Sequence, residues 1–352
     1  MVNLQGKEST ALKTIQQSLE DNLNIIPSDN RLKTIVDKIT DSRYTFKLIK
    51  ETGTLPISSE RPSLLYKNWL YVVGAHDTGC GLVIVDINTM EIIKQVFLSS
   101  TVYGTSASIL RDETYWYASF SSGGLLVRGL LETGEVVNTT VQAIGATRAM
   151  CLDENYIYTA SSTGRIYKID KITLTISQLG NVIYNSPYDI KCVGDYLYIT
   201  GTGTTPNTGV IAKVAKSDIN TVVATSNSAY NSEVIRQLLI DDIYIYTASA
   251  TGIIKKWLLS DLSYISDFFT TGKGNSIITF KKTLNNFWIG DYFGTTCRVS
   301  ETGDLLAKLQ TSVSPNYILE IDESNQILYR NSSDDVTIAK YQIIDNLQNS
   351  TS

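Results

Sequence analysis

The feature that most constrains the fold is an aromatic strand pattern that returns about every forty residues. An aromatic landmark holds the same place in seven successive segments, at Tyr71, Tyr117, Tyr158, Tyr198, Tyr246, Trp288 and Tyr329. The steps between these landmarks are 46, 41, 40, 48, 42 and 41 residues. Such regularity predicts seven copies of one supersecondary unit, each unable to bury its own apolar faces alone.

Each copy carries the signals of four strands joined by three tight turns. A polar turn precedes the landmark, as at 153–155, and a small-residue turn with glycine follows it, as at 161–164. Glycine there supplies the positive φ that tight hairpins need. The pattern predicts an all-β fold, a seven-bladed β-propeller. Its blades are expected near 61–100, 101–144, 145–183, 184–230, 231–272, 273–312 and 313–352.

The last copy lacks an outer strand, because only the polar tail 346–352 follows its third strand. In the stretch 44–57 apolar and polar residues alternate, a turn follows at 51–53, and the chain then resumes as an outer strand, where Pro56 is tolerable. We therefore predict a propeller over 43–352, closed by its own N-terminal strand so that no large edge stays open.

Residues 1–42 follow a helical period instead and predict a short N-terminal α-helical hairpin. Each helix has one apolar stripe, which is too little for independent stability. One interpretation is that these helices pack on the propeller rim. We favour a segment that docks a partner or assembles with copies of itself, and the second case would give a homo-oligomer. The docking positions are Leu12, Ile15, Leu19, Leu32, Ile35, Val36 and Ile39.

Charge and composition exclude several partners. The net charge of −5 and the absence of a Lys/Arg stripe argue against nucleic acid. No apolar run reaches the length of a membrane span, and no secretory signal is expected. The cysteines lie in separate repeats without a C-x-x-C pair, which indicates buried thiols in a protein made in a reducing cytosol. They are Cys80, Cys151, Cys192 and Cys297.

The residues give little support to catalysis. His76 is the only histidine and is expected to be solvated in a long turn over 74–81, so a histidine-based triad and a multi-histidine metal site are both disfavoured. Acidic pairs recur in the polar turns at 112–113, 153–154, 241–242 and 322–323, as solvated hairpins would produce. We predict a non-enzymatic protein without cofactor or metal. A carbohydrate-active enzyme using carboxylates of a propeller face is the third alternative.

The loops that lead into the inner strands and the turns after the second strands should emerge on one face. They carry tyrosine and asparagine, a mixture suited to adaptable contacts with proteins or glycans. Ordinary loop polarity is an equal alternative. The predicted binding face consists of Tyr103, Tyr184, Tyr188, Tyr230, Tyr292, Phe293, Tyr317, Asn185 and Asn231.

A second candidate site comes from aligning the inner strands. Arg148, Asp189 and Arg236 fall at early positions of consecutive blades, near the mouth of the central channel. This placement predicts an ion-paired ring. We favour a structural plug over a ligand site for it.

Two resemblances bear on function. The segment Leu70-Tyr71-Val72-Val73-Gly74, followed by 82–89, resembles the YVTN-type repeats of microbial surface propellers. Similar sequence patterns cover most of 61–345. That resemblance implies surface binding. Residues 12–39, with Pro27-Ser28-Asp29 between their helical stretches, are similar to helical segments at the start of bacteriophage tail and fibre proteins.

Together the resemblances imply a tail-associated virion protein, made in the host cytoplasm. Its helices would bind other tail proteins, and its open face would contact a host-surface glycan or protein, or a neighbouring subunit. The competing expectation is a cytosolic bacterial propeller that acts as a scaffold for protein–protein interaction.

Overall fold

The predicted seven-bladed propeller is confirmed. The computed structural model describes residues 44–57, 62–76, 79–99, 106–120, 124–141, 146–182, 186–202, 209–226, 233–272, 274–310, 317–331 and 337–345. Within these ranges every regular element is a β-strand, and the strands form seven four-stranded antiparallel sheets. Residues 1–42, with the predicted helices, lie outside the described residues.

The strands occupy four positions in each blade, from the channel outward. The inner strands are β2 (Ser63–Tyr66), β6 (Ser106–Arg111), β10 (Thr147–Leu152), β14 (Ser186–Val193), β18 (Ile235–Ile240), β22 (Ile277–Lys282) and β26 (Leu319–Asp322). The second strands are β3 (Trp69–His76), β7 (Tyr115–Phe120), β11 (Tyr156–Ser161), β15 (Tyr196–Thr202), β19 (Tyr244–Ser249), β23 (Asn286–Asp291) and β27 (Ile327–Asn331). The third strands are β4 (Gly79–Asp86), β8 (Leu125–Leu130), β12 (Arg165–Asp170), β16 (Gly209–Ala215), β20 (Ile253–Leu258), β24 (Thr295–Ser300) and β28 (Ile338–Asp345). The outer strands are β5 (Glu91–Ser99), β9 (Val136–Val141), β13 (Ile176–Val182), β17 (Val222–Thr225), β21 (Tyr264–Thr270), β25 (Leu305–Gln310) and β1 (Tyr44–Glu51).

The apolar core lies between the blades rather than within them. All seven aromatic landmarks lie in second strands and are buried. Successive residues of a strand point to opposite faces, so Trp116 packs against blade 1 while Tyr117 packs against blade 3. Each of the seven apolar clusters is shared by two neighbouring blades. A blade is therefore covered only by its neighbours, and the ring has to close.

Strand β1 supplies the outer strand of blade 7. It pairs antiparallel with β28, from Tyr44 opposite Asp345 to Glu51 opposite Ala339. The predicted second strand segment at 54–57 does not form. Leu55 and Ile57 instead pack into the cluster between blades 7 and 1, because that interface needs their apolar side chains.

Removing residues 1–51 takes away β1 and opens the edge of β28. We expect a melting temperature lower by about 10 °C or more, since each kcal/mol lost costs roughly 2–4 °C in a domain of this class. Removing residues 1–42 keeps β1 and serves as the control, which should melt like the full chain. Calorimetry compares the two; equal melting temperatures would contradict the closure role.

An aspartate in the turn between first and second strands ties neighbouring blades together. In blade 3, Asp153 Oδ1 accepts from the amides of Asn155 (3.0 Å) and Tyr156 (2.9 Å), and Oδ2 accepts from the Tyr158 hydroxyl (3.0 Å). Lys216 of blade 4 lies 3.5 Å from the same carboxylate. The turn acid is therefore a partly buried bridge between blades, not the solvated group that the sequence suggested.

Two further blades repeat this arrangement. Asp112 pairs with Lys171 (3.0 Å) and Asp241 with Lys282 (2.8 Å), each from the following blade. Burial acts to raise the pKa of these carboxyls, but the turn amides and the lysines outweigh burial and hold the pKa below its ordinary value. The stabilisation is complete above the unfolded pKa and is lost as pH falls through the folded one.

Replacing Asp153 with alanine removes three hydrogen bonds and one ion pair. We expect the free energy of unfolding at neutral pH to fall by about 2 kcal/mol. Wild-type stability should itself decline below about pH 4, where the aspartates become protonated. Urea denaturation measures both effects. The adjacent exposed Glu154→Ala is the matched control; if both variants unfold at the same urea concentration, the bridging role is wrong.

The expectation of four free thiols is wrong for one pair. Cys151 of β10 and Cys192 of β14 form a disulfide between blades 3 and 4, with Cα atoms 5.8 Å apart. Their separation of 41 residues is one repeat, so the two positions face each other on adjacent inner strands. Cys80 and Cys297 are buried thiols outside this disulfide, as predicted, and burial raises the pKa of the Cys80 thiol to about 11 despite a hydrogen bond with the Ser99 backbone.

Maleimide labelling in urea tests this pairing. Without reductant we expect two labelled cysteines by mass spectrometry, and all four after reduction. The double substitution C151S/C192S should lower the free energy of unfolding by about 3 kcal/mol, because it releases a loop of one blade length. Four labels before reduction would contradict the disulfide.

Candidate binding site at the upper face

The upper face is the edge of the ring where the inner strands begin and where the second strands turn into the third strands. Antiparallel pairing places these features together, since Thr147 at the start of β10 lies opposite Ser161 at the end of β11. The lower face carries the aspartate turns. The described residues of both candidate sites predicted from the sequence lie at the upper face.

Five consecutive inner strands contain a β-bulge near their start. In each, one residue is inserted relative to the second strand, as between Thr147 and Ala149. A bulge bends the strand and re-aims the inserted side chain. The inserted residues are Ala107, Arg148, Tyr188, Arg236 and Ile278.

Three of these bulge residues meet at the channel mouth. The guanidinium carbon of Arg148 lies 5.1 Å from the centre of the Tyr188 ring, and that of Arg236 lies 5.9 Å from it. Both arginines are exposed, and Tyr188 is half-buried. Cations this close to an aromatic face are attracted by its quadrupole. In the described part of the chain, neither guanidinium has an ion pair or a hydrogen bond.

Asp189 does not belong to this set, which corrects the predicted ion-paired ring. The sequence alignment placed Asp189 level with the arginines, but the bulge makes Tyr188 their equivalent. Asp189 is buried, pairs with Lys191 (2.9 Å) and accepts from the Leu238 amide of blade 5 (2.8 Å). It therefore stabilises the junction between two inner strands, and among the described residues the arginines have no counter-ion.

The channel mouth opens into a cavity of about 530 Å³ lined by inner strands of the ring. Its lining includes five cationic side chains and one carboxylate, that of Asp189. Lys281 is neutralised from behind by Glu320, at 2.5 Å, and Glu320 also accepts from Ser63 of blade 1 (2.7 Å). The lysines are thus matched by acids, whereas Arg148 and Arg236, which also line the cavity, have no acid partner among the described residues.

A second feature of the upper face is an aromatic pair on the turn of blade 6. Tyr292 and Phe293 are 49% and 43% exposed, and their rings meet edge to face at 5.8 Å. Asp291 fixes the turn, because its Oδ1 accepts from the amides of Phe293 (3.0 Å) and Thr295 (2.7 Å). Gln310 donates to the Phe293 carbonyl (2.8 Å) from the outer strand. The two rings therefore stand on a rigid base.

The same turn carries small residues in two other blades. Blade 3 has Ser162-Thr163 and blade 5 has Ala250-Thr251 at the positions of the aromatic pair. Their turns are fixed by serine hydroxyls, those of Ser161 and Ser249, in the role of Asp291. The fold therefore does not require large side chains at this turn.

Of the other residues that the sequence singled out at this face, the structure describes Tyr317 and His76. Tyr317 is half-buried and lines the cavity with Tyr188. His76 ends strand β3, opposite Gly79 of β4, so the predicted long turn is shorter than expected. Five members of the predicted binding face lie outside the described residues: Tyr103, Tyr184, Tyr230, Asn185 and Asn231.

The described ranges also lack the usual features of a metal site and of a membrane-spanning helix. They contain no group of three or more His, Cys, Asp or Glu side chains placed to hold a metal ion. No helix there is long and apolar enough to cross a bilayer.

Comparisons with known proteins place the fold but no family. No protein-family model and no curated protein sequence matches the chain. The crystal structure of the computationally designed Ika8 protein is similar, with a TM-score of 0.61 and 13% identity over 84% of this chain and 99% of the Ika8 chain. At that identity the likeness shows the fold alone. Since 1650 chains of solved structures match, the fold by itself selects no function.

Proposed function

We propose that the protein is a non-enzymatic recognition protein whose upper face binds a partner surface. The observation that carries this proposal is the exposed pair Tyr292 and Phe293, held on a fixed turn where blades 3 and 5 have small residues. Rigid aromatic side chains offer a large contact area and lose little conformational entropy on binding. Such residues dominate the binding energy of many interfaces.

The biological setting that we propose is a bacteriophage tail. The resemblance of residues 12–39 to the starts of tail and fibre proteins supports it, and the resemblance to microbial surface propellers supports a role in attachment. In this setting the N-terminal segment binds other tail proteins. The upper face contacts a host-surface glycan or protein, or a neighbouring virion subunit.

The state of the turn aspartates favours recognition over the carbohydrate-active alternative. A glycosidase needs one carboxyl with a raised pKa to act as general acid. Burial tends to raise the pKa of Asp112, Asp153 and Asp241, but their amide and lysine partners hold it below the ordinary value. These carboxylates are also occupied by contacts within and between blades.

The substitution Y292S/F293T tests the proposal, since it gives blade 6 the turn residues of blade 3. We expect the melting temperature to stay close to that of the wild type, because both rings are exposed. Binding to bacterial surface polysaccharides (lipopolysaccharide, teichoic acid and peptidoglycan fragments) should fall by about tenfold or more, as for the loss of an aromatic hot spot. Biolayer interferometry with each immobilised polysaccharide measures it.

The control is S162A/T163A, which changes the equivalent turn of blade 3 and should leave binding unchanged. Equal binding by the wild type and by Y292S/F293T would contradict the role of the aromatic pair. The virion setting has its own test: the protein should co-sediment with purified phage particles, and deletion of residues 1–42 should abolish this. A protein found only in the soluble fraction would favour the cytosolic scaffold.

A further inference from the structure

We propose that the channel mouth is an oxyanion-binding site, in which Arg148 and Arg236 hold a carboxylate or phosphate group beside the Tyr188 ring. This site is separate from the aromatic pair of blade 6. It would function whether or not Tyr292 and Phe293 bind a partner.

The first argument is the charge of the cavity. The protein as a whole carries a net charge of −5, yet the lining of the cavity has five cations and a single carboxylate. Asp189 neutralises Lys191, and Glu320 neutralises Lys281. The arginines of the mouth have no acid partner among the described residues, so the positive potential there is uncompensated. A cleft of one charge sign concentrates ligands of the opposite sign.

The second argument is the chemistry of the two side chains. Arginine carries a planar fork of donors that matches the geometry of a carboxylate or a phosphate, and such hydrogen bonds are about twice as strong as neutral ones. All donors of both guanidinium groups are available, because Arg148 and Arg236 make no hydrogen bond within the described chain. Tyr188 keeps the two groups near one place, at 5.1 and 5.9 Å from its ring centre.

The third argument is that the arrangement departs from the repeat. The bulge positions of blades 2 and 6 hold Ala107 and Ile278, so the bulge itself does not need a cation. Two arginines flank the blade that supplies the tyrosine, and all three come from adjacent inner strands. The cavity, of about 530 Å³, has the size of pockets that take small molecules.

Isothermal titration calorimetry on the full chain tests the site with defined probes. Inorganic phosphate represents a free phosphate, D-glucuronate represents a sugar carboxylate, and D-glucose is the neutral comparison. We expect at least one of the two anions to bind, D-glucose not to bind, and affinity to fall as the salt concentration rises. R148Q and R236Q should each lower the affinity for the anion by about tenfold, and the double variant should abolish binding.

The control is K308Q, which removes one positive charge from an exposed position on outer strand β25. It should leave the affinity unchanged, and R148K/R236K should give an intermediate affinity because charge is kept and the fork is lost. Thermal melts establish that each variant is folded. Lack of binding by the wild type, or an equal loss in K308Q and R148Q, would overturn the site. Y292S/F293T should bind the probes normally, so failure of the proposed attachment role and failure of this site can be distinguished.

Discussion

The burial of apolar side chains between neighbouring blades is the interaction on which the rest of the structure depends. Each blade buries both of its faces, as the opposite directions of Trp116 and Tyr117 illustrate. No blade can cover itself, so the seventh interface must be filled, and Leu55 and Ile57 help to fill it. Lys340 of blade 7 donates across the same interface to the Ile87 carbonyl of blade 1, at 2.7 Å. The channel mouth inherits its geometry from this packing, because residues from three blades meet only when the inner strands are held at a fixed spacing.

The parts of the fold that could be predicted from the sequence are those encoded locally. The aromatic landmarks and the turn glycines recur within each unit, so spacing alone revealed the blades. The bulges could not be predicted in this way, because an inserted residue becomes visible only against its paired strand; Asp189 was therefore aligned where Tyr188 lies. Alternation over 54–57 also looks the same in a strand and in an extended segment that fills an interface. The disulfide did leave a signal in the sequence, because Cys151 and Cys192 are separated by one repeat length and therefore occupy equivalent positions in neighbouring blades.

Repetition helps to separate function from architecture in this protein. Where blades agree, the residue supports the fold, as the turn aspartates do through their links to the next blade. Where a described position departs from its equivalents and the fold does not require this, we propose a role in binding. Tyr292 and Phe293 depart from Ser162-Thr163 in this sense, and Arg148 and Arg236 depart from Ala107 and Ile278.

The place of β1 determines how the ring would respond to mechanical force. Tension applied from the N-terminal side enters at Tyr44. It is resisted first by the backbone pairing of β1 with β28, and then by the packing of Leu55 and Ile57 between blades 7 and 1. Across the wheel from blade 7, the bond between Cys151 and Cys192 joins blades 3 and 4 covalently. Under a pulling load we therefore expect the ring to open between blades 7 and 1, while the disulfide keeps blades 3 and 4 joined.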